Sequence, residues 1–126
     1  MRIIKKIIVV ISVASLLFTM FSFHAYAKGS DIIPNDKTGI PDKGLYQAVL
    51  KALNKKSGVF TKSEAARIKT LDAENFKKER ADIKSLKGIG NLKELTSLSV
   101  SYNKLTNLKG IEELTKLKDL VSIRVV

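Results

Sequence analysis

Between Leu86 and Leu120 the chain repeats itself at a spacing of 22 residues, and no other feature narrows its folding as much. Leu86 returns as Leu108, Lys87 as Lys109, Gly88 as Gly110 and Ile89 as Ile111. Leu92, Leu95 and Leu98 return as Leu114, Leu117 and Leu120. Within the first copy, Leu98 and Val100 alternate with Ser97, Ser99 and Ser101, so an extended strand there has one apolar and one hydroxylic face. Asn103 follows where the chain must leave the strand, and its amide can satisfy backbone groups at that turn.

Leu95 to Leu105 fits the pattern L-x-x-L-x-L-x-x-N-x-L, and a period in the 20–29 range with that pattern signals a leucine-rich repeat. One continuous amphipathic helix is the competing reading, since Leu86, Ile89, Leu92 and Leu95 are three apart. Gly88 and Gly90 interrupt it, and the alternation from Ser97 to Ser101 has a strand period. A degenerate earlier unit, Ile68 to Asn75, places Leu71 and Ala73 where Leu98 and Val100 come later. The interval from Leu71 to Leu98 is 27 residues, and the surplus is expected to loop out within Phe76 to Asp82. In the last unit Ser122 stands where an inward apolar residue is expected, and Val121, Ile123 and Val125 fall on the alternate face.

Two helices are expected ahead of the repeats. Asp42 can accept hydrogen bonds from free N–H groups at a helix start. Tyr46, Val49, Leu50 and Leu53 then form a helical stripe, with Lys51, Lys55 and Lys56 near its carboxyl end, before Ser57-Gly58. Thr61-Lys62-Ser63-Glu64 has the capping-box pattern and opens a short helix over Lys62 to Ile68, with Phe60 and Ala65 placed to staple it. The expected fold class is therefore α/β: a short right-handed leucine-rich-repeat solenoid with parallel strands, preceded by a two-helix amino-terminal cap.

Residues 1–27 read as a secretory signal peptide: basic to Lys6, uncharged from Ile7 to Phe23, then Ala25-Tyr26-Ala27. A retained membrane anchor is the alternative, and either one puts the rest of the chain outside the cytoplasm; no integral span is expected after cleavage. Residues 28–41, rich in Gly, Pro, Asn and Asp, read as a flexible lead-in. Residues 42–82 are expected to hold the helical cap and the degenerate first repeat, and 83–126 the repeats. The carboxyl end, with Leu120, Ile123, Val125 and Val126, is expected to lie uncapped, which implies marginal stability or self-association through that end.

Composition excludes most catalysis. The chain has no cysteine, and its one histidine, His24, lies within residues 1–27. What remains cannot assemble a Ser-His-Asp or Cys-His mechanism or a Cys- or His-ligated zinc site. Asp72 and Glu74 share a strand face but have no enclosing cleft in the pattern. Asp31, Asn35 and Asp36 lack the spacing of a calcium loop. No enzyme activity, cofactor or metal is expected. After residue 27 the chain holds 20 Lys plus Arg against 12 Asp plus Glu. That excess suits an anionic wall polymer or membrane surface, but no arginine cluster or aromatic interleave marks a nucleic-acid groove, and no nucleic-acid partner is expected.

The run Ile40-Pro41-Asp42-Lys43-Gly44-Leu45 with its helix, then Phe60-Thr61, then Leu71 to Asn75, then Ile83 to Ile89, resembles the start of an internalin-type protein. These are secreted or wall-attached leucine-rich-repeat proteins of Gram-positive bacteria, and the likeness covers Ile40 to about Leu120. The resemblance implies a non-catalytic, virulence-associated binding role at the cell surface, towards a protein or cell-surface ligand met by the concave strand face. Carried over by position, that face is Thr70, Asp72 and Glu74, then Ser97, Ser99 and Ser101, then Asp119, Val121 and Ile123, with Tyr102 flanking it. Two alternatives stay open: a basic domain held electrostatically at an anionic wall or membrane, or a non-functional truncated copy of a longer adhesin.

Overall fold

The computed structural model describes residues 31–122. The expected signal peptide, the start of the lead-in, Ile123 and the residues after it lie outside them. The described chain is α/β. In order come β1 (Ile32–Ile33), α1 (Lys43–Ala52), β2 (Phe60–Thr61), α2 (Lys62–Ala66), β3 (Thr70–Asp72), β4 (Ser97–Ser99) and β5 (Asp119–Val121). Short 3₁₀ turns, Ile89–Asn91 and Ile111–Glu113, stand ahead of β4 and β5. No helix among the described residues is long and apolar enough to cross a membrane.

The helix starts follow their local chemistry. Asp42 accepts from the Leu45 N–H at 2.9 Å, and its other oxygen accepts from the Lys84 and Ser85 N–H groups. One carboxylate thus starts α1 and ties it to the first full repeat. Leu45, Tyr46, Val49 and Leu50 are buried, and α1 packs on β3. Thr61 and Glu64 form the expected capping box at α2, which ends at Ala66, two residues short of the expected end. Phe60 and Ala65, the proposed staple pair, are both fully buried.

Residues 31–41 differ from the expected flexible lead-in. β1 pairs antiparallel with β2, Ile33 and Ile40 are buried, and Ile33 C=O accepts from the Tyr46 hydroxyl at 2.8 Å. The turn formers Asn35 and Asp36 close local hydrogen bonds that let this segment lie against the core.

The strands β3, β4 and β5 form a parallel sheet in that order. Thr70, Ser97 and Asp119 are in register, as are Leu71, Leu98 and Leu120, and Asp72, Ser99 and Val121. This is the pairing that the 22-residue period requires, with β3 joining despite its longer interval. Gly88 and Gly110 open equivalent 3₁₀ turns at φ 87° and 106°, a left-handed conformation that glycine enters without a Cβ clash. Leu86, Ile89, Leu92, Leu95 and Leu98 are buried. Their partners one repeat later are less covered, because β5 is the outermost strand among the described residues.

That outer unit carries a polar defect. The Ser122 Oγ is buried and has no hydrogen-bond partner among the described residues, at the position of Val100 in the inner unit. An unpartnered hydroxyl in such a place costs about 1–3 kcal/mol. Ser122→Val is expected to raise stability by about 1 kcal/mol, read as a higher urea midpoint at unchanged slope.

Candidate functional site

Alternation across the sheet separates two surfaces. Leu71 and Leu98 point into the core, while Thr70, Asp72, Asp119 and Val121 are exposed and Ser97 and Ser99 are partly exposed. Glu74 continues this open face beyond β3, where its Oε1 accepts from the Ser99 hydroxyl at 2.9 Å. Seven of the ten residues expected to form the binding face therefore lie together on one open surface of the sheet.

The other three differ. Ser101 is fully buried and offers no contact surface. β4 ends at Ser99, and Tyr102 sits at φ 59°, so the chain is already turning and the strand alternation does not extend to Ser101. Tyr102 stands at the rim, its ring 5.0 Å from that of Phe76 and nearly edge-on. Ile123 lies outside the described residues.

Asn103 organises the turn below this rim. Its amide nitrogen donates to the carbonyls of Val100, Ser101 and Ala73, and its oxygen accepts from the Ile83 N–H and the Arg80 guanidinium. The preceding unit has no asparagine at the matching place. There the Arg80 guanidinium donates to Ala73 and Glu74 C=O, the positions in register with Val100 and Ser101. The surplus residues are thus not a loose loop: they swing an arginine back to do in one turn what Asn103 does in the next. Burial pulls the Arg80 guanidinium below its ordinary pKa, against the opposing pull of Asp82, Asp42 and Asp72.

Further bonds fix the same segment. Lys78 bridges the Tyr102 carbonyl and Asp82, and Asn75 donates to Asp82 and to the Arg80 carbonyl. The hydrogen bonds from Lys78 and Asn75 hold the Asp82 carboxyl below its ordinary value. Phe76, 69% exposed, is thereby presented on a braced support. The repeat pattern does not mark it. The available signal was a lone aromatic between Asn75 and the charged run from Lys77 to Arg80. Between Phe76, α1 and the Asp72–Glu74 edge lies a cleft of about 490 Å³, also lined by Gln47, Lys51 and Arg80.

No protein-family model matches the sequence, and no curated protein does. The likeness is to solved structures. An internalin (inlF) from Listeria monocytogenes superposes with a TM-score of 0.62 at 25% identity, covering 75% of this chain and 26% of that one. An internalin C2 (inlC2) from the same species gives 0.59 at 28% identity, over 71% of this chain and 38% of that one. A structure of the CBM51-2 and INT domains of Clostridium perfringens ZmpB, with GlcNAc bound, gives 0.57 at 29% identity, over 71% and 17%. The chain thus spans between a sixth and two fifths of the proteins it matches. The repeat period, the parallel sheet it produces and these structures agree: the chain is an internalin-like leucine-rich-repeat protein.

Proposed function

We propose that this is a secreted, non-catalytic binding protein of a Gram-positive cell surface, whose open sheet face meets a protein or cell-surface partner. In this reading residues 1–27 are the secretory signal, β3–β5 with their 3₁₀ returns form a short right-handed solenoid, and the β1–α2 segment caps its amino end. The observation that carries it is the register of the three strands, which buries Leu71 and Leu98 and leaves Thr70, Asp72, Ser97, Ser99, Asp119 and Val121 on one surface. Parallel strands stacked at a fixed repeat generate an extended contact surface of this kind. The internalin-like neighbours support an adhesin-like role, and a mature chain without histidine or cysteine supports a non-catalytic one.

Ser99 lies at the centre of the face, on the middle strand. Ser99→Arg places a long side chain there without entering the core. With a partner identified by cross-linking at the producing cell's surface, this substitution is expected to weaken binding at least tenfold, or about 1.4 kcal/mol, with the urea midpoint unchanged. Undiminished binding would remove the face from the interaction.

A further inference from the structure

Resting on the reading just proposed, we infer that the open face docks an extended, lysine- or arginine-bearing segment of a partner protein, with the Phe76–Tyr102 pair as its apolar anchor. The chain as a whole is strongly basic, with 23 Lys plus Arg against 12 Asp plus Glu. The face reverses that sign. Among Thr70, Asp72, Glu74, Ser97, Ser99, Asp119 and Val121 there are three acids and no base.

Acids alone would be an ordinary solvated surface. The aromatic pair is what makes the face a docking surface. Phe76 is the most exposed of the large apolar residues described, yet its support is tied down through Arg80, Lys78 and Asn75. A braced ring loses little freedom when covered, and covering it recovers hydrophobic free energy. Its π-face also accepts a cation, which suits an arginine paired with a carboxylate alongside. Val121 adds a second exposed apolar group on the far strand.

The spacing suits an extended chain. Strands lie about 4.8 Å apart and same-face residues about 6.6 Å apart along a strand. Asp72 and Glu74 are then about 7 Å apart, and Asp72 and Asp119 about 12 Å apart on the diagonal. Side chains two or four residues apart on one side of an extended peptide meet those intervals. A polyanion fares worse here, because like charges face it. The bases beside the cleft do not make an anion site either: Lys51, Lys77 and Arg80 line it together with an equal number of acids, Asp72, Glu74 and Glu79, and the Arg80 guanidinium is engaged with backbone carbonyls and Asn103.

The test uses the secreted chain and three short, labelled, extended peptides. The first alternates Lys with Thr and carries one Leu; the others replace Lys with Gln or Glu. Fluorescence anisotropy is expected to rank them Lys over Gln over Glu, with at least tenfold between the extremes, against the sign that the net charge alone would favour. Asp72→Asn with Asp119→Asn is expected to weaken the Lys peptide about tenfold and leave the Gln peptide unchanged. Phe76→Ala is expected to weaken both. Preference for the Glu peptide, which an anionic wall polymer would share, overturns the inference, as does indifference to the paired Asn substitutions or binding of none of the three. Ser99→Trp, a neutral obstacle, separates this failure from that of the underlying reading. If it abolishes binding that shows no charge preference, the face still binds and only the cationic partner is refuted. If it changes nothing, the face itself is not the site.

Discussion

Asn103→Ala is expected to lower unfolding stability by about 3–5 kcal/mol, a large share of what a domain of this size possesses. The side chain is 3% exposed and makes five hydrogen bonds, to groups from three segments of the chain. Truncation strips the buried Ile83 N–H of its side-chain acceptor and three carbonyls of a donor, at a cost of about 1–3 kcal/mol for each group left unmet. Asn107 serves as the control: it is exposed and, among the described residues, its oxygen accepts only from the Lys109 N–H, so Asn107→Ala is expected to cost within about 0.5 kcal/mol. Urea midpoints decide between them. Equal losses at the two asparagines would show that Asn103 does not brace the adjoining turns. Arg80→Ala probes the same bracing from the preceding unit. Because Arg80 and Asn103 touch each other and share the Ala73 carbonyl, the double variant is expected to depart from additivity by about 0.5–3 kcal/mol.

That pairing of Arg80 with Asn103 also marks where the sequence stops being legible. The register of Leu71, Leu98 and Leu120 follows from spacing and alternation, because a period-2 strand stacked at a fixed repeat has one way to bury its leucines. The starts of α1 and α2 follow from Asp42 and from the Thr61–Glu64 box, which act over three residues. The role of Arg80 depends on a long-range meeting with a turn 23 residues away, and no local pattern announces it. Ser101 departs from its expected outward position for a related reason: the alternation predicts an exposed residue there, but the strand ends at Ser99 and Tyr102 turns the chain. The turn formers of residues 31–41 suggested mobility, but the apolar positions Ile33 and Ile40 among them were the anchors. For the candidate face, the strand residues were legible and the aromatic was not, since Phe76 sits in the stretch that breaks the repeat.

The second large effect tests the stacking itself. Leu98→Ala is expected to cost about 2–5 kcal/mol, and Leu120→Ala about 1 kcal/mol, although the two residues are equivalent in the repeat. The physical difference is coverage. Leu98 is 0% exposed on the middle strand, with Leu71 on one side and Leu120 on the other, so removing its methyl groups leaves a cavity that both neighbours line. Leu120 is 40% exposed on the outermost strand among the described residues, so water already meets part of it. In stacked repeats stability is a sum of unit terms and nearest-neighbour terms, and an inner unit contributes to two interfaces. At about 4–8 °C per kcal/mol for a domain of this size, the two variants should melt at clearly separate temperatures. If Leu98→Ala does not fold, Leu98→Val against Leu120→Val keeps the comparison, with the larger loss still expected at the covered position 98. Equal melting temperatures for the alanine variants would mean that the two leucines share one environment. Strands side by side at the 22-residue interval could not then be the source of the stability.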